Sequence, residues 1–218
     1  MESFARAMSG SILPILPEVA RWVILALAIF CYILQPRFSF RIRFFRGACY
    51  RLLSLVTLLF FTLCAAIQTW IQYFAWSADP LSSKLLPPYQ PWTRFALYAL
   101  QRHWLGFFIG IAIAVVFFLF LKVLQRYRER FFEVGETELG FVLALVVGWP
   151  HFVLFLPIAL FAVIFISIIR GIFLKQAYTT LGAPLLLAAA VTLFWSEELF
   201  VLFNLSALQV CLGCGVIR

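Results

Sequence analysis

Apolar runs of spanning length recur along this chain, separated by short polar stretches. A helix needs about 20 mainly apolar residues to cross a bilayer. The first such run is Val19 to Gln35, closed by Pro36. The second is Leu52 to Trp76, and its last residues include Trp70, Tyr73 and Trp76, rings that suit a membrane interface. A loop with four prolines follows, SADPLSSKLLPPYQPW. Thr93 to Trp104 is a short amphiphilic piece interrupted by Arg94, Arg102 and His103. Leu105 to Leu121 is a clear span, with Gly106 and Gly110 at a spacing that lets helices approach closely. Leu139 to Trp149 and Phe152 to Ile169 flank Pro150 and His151. Together they hold about 30 residues, too many for one crossing at about 1.5 Å per residue. Pro150 therefore marks a hairpin between two helices. Leu181 to Trp195 is the next span, and Leu199 to Ile217 is apolar enough to cross again or to lie against the bundle. The pattern predicts an all-α fold, a polytopic transmembrane helix bundle of about six to eight membrane segments. One domain, 1–218, holds them, and no repeat of fixed period is present.

Composition sharpens this picture. The chain is 65% hydrophobic and 12% charged, with a mean hydropathy of +1.03. Soluble domains carry about 25% charged residues. No soluble core of this length hides so much apolar surface, so the lipid bilayer is the expected solvent and partner. The net charge of +8 does not imply nucleic acid, because the 17 Lys and Arg lie in short loops between apolar runs. That arrangement orients a chain in a membrane and attracts anionic headgroups. Arg37, Arg41, Arg43, Arg46 and Arg51, interleaved with Phe, suit a segment in the headgroup layer. The first residues lack the features of a cleaved signal peptide, so the first span is expected to remain.

Metal and cofactor chemistry find little footing. Of Cys31, Cys49, Cys64, Cys211 and Cys214, only the last two form a CxxC pair, and no second pair completes a four-ligand zinc site. They read as small buried hydrophobes. His103 lies beside Arg102 and Trp104, and His151 follows Pro150. Neither has acid, Cys or His neighbours at ligand spacing, so no metal and no cofactor is expected.

The polar junction Lys122 to Leu139 is where chemistry concentrates. Lys122, Arg126, Arg128 and Arg130 come first, followed by Glu129, Glu133, Glu136 and Glu138. Arg126, Glu129, Arg130 and Glu133 alternate at three- and four-residue spacings, as on a solvated, salt-laced helix end. Glu136 and Glu138 differ, because they follow Gly135 and open the next apolar helix. A helix N-terminus favours carboxylates through its free amides and dipole. The sharper alternative is a catalytic carboxylate at the membrane surface, which needs a second acid so that one holds a proton while the other activates water. Asp79 is the sole aspartate in the sequence and the obvious partner.

These residues carry a resemblance. Val-Gly-Glu-Thr-Glu-Leu at 134–139 resembles the second active-site motif of prepilin (type IV leader) peptidases, membrane aspartic endopeptidases with a G-x-G-D-x-K-L signature. Gly135 to Leu139 fall on G-D-x-K-L. Gly148-Trp149-Pro150 matches a following G-W or G-x-P turn. Thr180-Leu181-Gly182-Ala183-Pro184-Leu185, running on to Leu193-Phe194-Trp195, is similar to the family's later P-F-G-P-F-L element and its L-W ending. Asp79 stands ahead of Leu86-Pro87 much as the family's first aspartate stands ahead of its L-P pair. The resemblance covers roughly 77–195. It implies a multi-pass protein of the cell (inner) membrane that cleaves leaders from type IV prepilin-like substrates, hydrolases of the type IV pilus system. Asp79 and Glu136 would be the catalytic pair, one general base and one general acid, with Gly135, Glu138 and Gly182 supporting the motif.

The departures define an alternative. The motif aspartate is Glu136, the motif lysine is Glu138, Glu133 replaces the first glycine, and the family's paired CxxC zinc module is missing. Glu138 beside Glu136 is expected to raise one carboxyl pKa by repulsion. A carboxylate pair sharing one water is sensitive to placement on the scale of an ångström. The alternative is therefore a catalytically inactive peptidase-like membrane subunit or assembly protein. Topology bears on the choice. If the piece at 93–104 does not cross, loops 36–51, 122–138 and 170–180 share one side with 11 Lys and Arg (5 + 4 + 2), and Asp79 lies opposite Glu136. If it crosses, the acids share a side and the five-Arg loop goes outside, against the positive-inside tendency.

Overall fold

The computed structural model describes residues 15–33, 43–127, 132–133, 135–174 and 180–205. Arg37, Arg41, Arg128, Glu129, Arg130, Lys175, Cys211, Cys214 and the end of the apolar tail lie outside them. The described residues are helical throughout, joined by turns, with no strand. In chain order the helices are α1 (Ile15–Ile33), α2 (Arg43–Ala78), α3 (Trp92–Tyr127), α4 (Glu136–Val147), α5 (Phe152–Ile169), α6 (Gly182–Phe194) and α7 (Ser196–Leu202).

Four helices are long and apolar enough to cross a membrane: α1, α2, α3 and α5. A fifth results if α6 and α7, bent by 77° at Trp195, count as one broken span. Among the described residues there are thus four or five such spans, against the six to eight segments that the sequence suggests; most of the last expected segment, to Ile217, lies outside the described residues. One reason is that the amphiphilic piece is not separate. Trp92 runs into Tyr127 as one 36-residue rod, and Arg102 and His103 sit within a π-helical turn at Leu100–Trp104. The other is that α4 holds 12 residues, about 18 Å of rise, too short to cross alone. The break at Gly148–His151 does separate α4 from α5, as the hairpin reading requires.

α4 is the centre of the bundle. Leu139, Val142, Leu143, Val146 and Val147 are fully buried. A helix apolar all round has no solvent face and belongs inside a bundle. α4 packs against α3, α2, α6 and α1. The outer helices are apolar on the other side too. On α5, Leu160, Phe161, Ile164, Phe165 and Ile168 form an outward stripe, with Phe161 73% exposed. α2 turns Leu52, Leu55, Leu59 and Leu63 outward. So much exposed apolar surface is incompatible with water and is what a lipid-facing wall needs.

Hydroxyls within the spans are satisfied locally. Thr57, Thr62 and Thr69 each donate to the carbonyl four residues back, at 2.7–2.8 Å. The Trp104 indole N–H donates to Thr69 Oγ1 at 3.0 Å, joining α3 to α2. At the far end of α2, Tyr73 stacks on Trp92 and meets Phe95 edge-on. Leu86 packs there with Phe95 and Ala99, folding the proline loop over the α2–α3 corner.

α1 is held to α2 near the other end, where Cys31 Sγ and Cys49 Sγ lie 3.4 Å apart. Closing that gap to the bond length of about 2.05 Å needs only a small shift. Mild oxidation with copper phenanthroline should join Cys31 to Cys49, read as a linked peptide pair by mass spectrometry. Failure to link while Cys49 remains reactive would contradict this α1–α2 packing.

Candidate functional site

At the junction end of the bundle, termini of α1, α2, α4, α5 and α6 lie around Glu136. The end of α1 brings Tyr32, the first turns of α2 bring Arg51, and α4 begins at Glu136. Arg170 closes α5, and Gly182 opens α6. Gly135 precedes α4 with φ of +94°, in the left-handed region that glycine enters without strain. This turn aims the Glu136 side chain inward, where it is 3% exposed.

Both carboxylate oxygens of Glu136 are engaged by backbone N–H groups. Glu133 N–H donates to Oε2 at 3.0 Å, across the turn that starts α4. Leu181 N–H donates to Oε2 at 3.3 Å, and Gly182 N–H donates to Oε1 at 2.8 Å. Glu136 thus reaches back over its own helix start, as in a capping box, and caps α6 from outside. The positive dipole end of α6 favours the charge it receives. Burial pushes the Glu136 carboxyl above its ordinary pKa. The three amides pull it back only in part, and repulsion from Glu133 adds to the rise. That repulsion comes from Glu133 rather than from Glu138, which the sequence spacing had suggested.

Gly182 is needed for close approach. A Cβ there would lie 2.6 Å from Tyr32 Cε2 and 2.9 Å from Glu136 Oε1. The Tyr32 ring thus lies against Gly182, beside the carboxylate.

Glu138 points elsewhere. Its Oε1 accepts from Arg51 Nη2 at 3.3 Å, and its Oε2 accepts from the Thr137 hydroxyl at 2.8 Å. Burial works to raise its pKa, but the Thr137 hydroxyl, its own amide and Arg51 outweigh that and hold it below the usual carboxylate value. It ties α4 to α2.

Asp79 is exposed and follows the last residue of α2. Its Oδ2 accepts from the Ser82 hydroxyl at 2.6 Å and the Ser82 N–H at 3.1 Å. These bonds, the hydroxyl first, hold its carboxyl below the ordinary value. It caps the 3-10 turn Ser82–Leu85 in the manner of an Asx turn. The structure does not bring Asp79 and Glu136 together. Arg51, bonded to the Glu136 helix, and Ala78, next to Asp79, lie on one continuous helix. Their separation is about 40 Å at 1.5 Å per residue. No single water bridges two acids so placed. Among the described residues no three of His, Cys, Asp and Glu converge as metal ligands.

Tyr32 and the amides at 181–182 are site members that the sequence reading did not find. The amides had no side-chain signal, and Tyr32 lay within an apolar run. No family model, curated protein or solved structure matches the chain.

Replacing Glu136 by Gln leaves one acceptor oxygen for donors on two sides. An amide left facing the new NH2 group should cost about 1–3 kcal/mol. Thermal unfolding in detergent should show Glu136→Gln and Gly182→Ala both melting below the parent, and an unchanged midpoint for both would remove the cap from its structural role. The raised pKa gives a pH signature. An acid whose folded pKa is raised binds its proton more tightly when folded, so its contribution is full below the unfolded carboxyl pKa and is lost as pH rises through the folded value. The stability difference between parent and Glu136→Gln should therefore narrow as pH rises through that window. A widening difference would show a lowered pKa instead.

Proposed function

We propose that the chain is a multi-pass protein of the inner membrane with a peptidase-like motif that no longer cleaves, serving as a membrane subunit or assembly protein. One observation carries this reading. Glu136, the residue at the motif's catalytic position, has both oxygens filled by backbone N–H groups, and its would-be partner Asp79 is at the other end of α2. A general base needs a free lone pair aimed at water, and a general acid must stand within reach of the same substrate. Glu136 is enclosed and already holds three donors, and Asp79 stands at the far end of α2, out of reach of the same substrate. The motif residues act instead as a brace: Gly135 makes the turn, Glu136 caps α6, Gly182 admits the carboxylate, and Glu138 fixes Arg51.

Orientation follows from charge. The termini carrying Arg51, Lys122, Arg126 and Arg170 belong to one end of the bundle, and Lys84, Arg94 and Arg102 lie toward the other. Positive-inside bias places the junction in the cytoplasm. The proline loop with Asp79 then faces outward. A partner for such a protein is an apolar helix with a basic leader, held in the bilayer rather than cut.

Purified protein incubated with a type IV prepilin-like substrate should leave the leader attached, and Asp79→Asn should change nothing. Leader removal that is abolished by Glu136→Gln in a protein of unchanged fold would establish the peptidase instead. For topology, single cysteines at Tyr89 and Tyr127, both well exposed, are expected to react with an impermeant maleimide from opposite faces. Labelling of both from one face would defeat the arrangement.

A further inference from the structure

A pair of thiols stands beside the junction, and the Glu136 cap does not use it. Cys31 is in the last turn of α1, and Cys49 is in the second turn of α2. Their sulfurs are 3.4 Å apart, with Cys49 exposed and Cys31 partly buried. Each thiol has a near neighbour in sequence that belongs to the brace. Tyr32 follows Cys31, and its ring would meet a Cβ on Gly182 at 2.6 Å. Arg51, two residues after Cys49, bonds Glu138 at 3.3 Å. The thiols therefore sit where α1 and α2 both reach the helix starts that the motif joins.

α1 is least enclosed at this end. Its buried apolar residues are Ile24, Leu25 and Ala28, while Leu27, Phe30 and Ile33 are exposed. No residue at 29–33 is fully buried. A covalent bond from Cys31 to α2 would hold the turn that carries Tyr32, and so act on Gly182.

The chemistry is thiol–disulfide exchange. A thiolate attacks a disulfide sulfur, and access helps decide which thiol does so. Cys49 is the accessible one, flanked in sequence by Arg46 and Arg51 at the end of α2 that meets water and headgroups. With oxidised glutathione as oxidant, the Cys49 thiolate attacks one sulfur, the glutathione S–S bond breaks, and one glutathione leaves. Cys31 then gives up its proton and attacks Cys49 Sγ, and the second glutathione leaves. The two thiols lose two electrons and two protons, which oxidised glutathione takes up.

We propose that Cys31 and Cys49 form a reversible thiol–disulfide site, reduced at rest, whose closure tightens Tyr32 against Gly182 and with it the amides that hold Glu136. The site is independent of whether the chain cleaves a prepilin. Its reduced resting state rests on the cytoplasmic orientation proposed above, because thiols there are kept reduced and disulfides are transient. Its chemistry does not.

The test uses the full-length chain in detergent with Cys64, Cys211 and Cys214 changed to Ser. Oxidised glutathione should join Cys31 to Cys49, read as a linked peptide pair by mass spectrometry, and dithiothreitol should reopen it. The unaltered chain should give the same link. The linked form should unfold several degrees above the reduced form, since a disulfide removes freedom from the unfolded chain. Hydrogen exchange in the peptide covering Leu181 and Gly182 should slow severalfold on linking. Unchanged exchange there with the link formed would overturn the action on the brace. Cys31→Ser should stop at one glutathione held on Cys49, and Cys49→Ser should take up none. Glutathione held on Cys31 instead would overturn the order of attack. No link in either chain, while Cys49 still takes up glutathione, would refute the site. In cells quenched with N-ethylmaleimide the pair should be found as thiols. A bond already formed there would overturn the reduced resting state and the orientation behind it, with the link made in detergent still standing.

Discussion

A carboxylate enclosed by protein must find donors or lose its charge, and the way Glu136 meets this constraint organises the junction. Its donors are three peptide N–H groups from two segments more than forty residues apart. Holding them requires the turn before α4 and the first residue of α6 to converge on one point. The rest follows from that convergence. Gly182 must lack a side chain, Tyr32 lies against it, and α4 is drawn beneath the ends of its neighbours. A Glu at position 136, rather than a shorter Asp, has a physical reason here. The carboxylate must reach across from one helix start to another, and the extra methylene lengthens that reach.

The length of α2 is the second constraint. A helix of 36 residues exceeds what a bilayer of about 30 Å requires, so its two ends sit in different environments. The junction end carries the Arg-rich first turns and the Glu138 contact. The other end carries aromatic rings and a proline loop packed over them. Asp79 belongs to that second environment, where it shapes a surface turn. The resemblance that joined Asp79 to Glu136 rested on order and spacing along the chain, and these do not fix on which side of a membrane a residue falls. With α3 continuous through Arg102 and His103, α2 and α3 form two antiparallel rods joined by the proline loop, and Asp79 lies at the end of the bundle away from Glu136.

Much of the helical layout was legible as apolar runs, and its errors have one origin. Hydropathy marks where a chain meets lipid, whereas helix ends are set by hydrogen bonding and caps. Arg43, Arg46 and Arg51 read as loop, yet they lie in the opening turns of α2. Charge at the end of an apolar run does not by itself end a helix, because the backbone hydrogen bonds continue through it. Arg102 and His103 read as an interruption for the same reason, yet they are helical and turn toward a cavity. At the site, Gly135, Glu136, Glu138 and Gly182 were found from their motif, and their assembly was not. A backbone amide has no residue-type signature, so nothing at Leu181 or Gly182 announced that it would bind Glu136. Arg21 and Arg102, which line that cavity from positions 81 apart in sequence, share no local pattern either.

The two polar loci differ in one physical respect. At the junction every oxygen of Glu136 and Glu138 has a donor from the chain itself. Both carboxylates are thereby committed to joining segments of the chain. In the cavity beside the π-turn of α3, three buried nitrogens, on Arg21, His103 and Trp149, have no hydrogen-bond partner among the described residues. Polar groups left unmet in a low-dielectric interior carry a free-energy cost that the fold bears only if something offsets it. The junction motif is therefore better understood as the element that holds α4 and α6 in place. The cavity at the opposite end of α4 differs from it in keeping buried nitrogens without partners among the described residues.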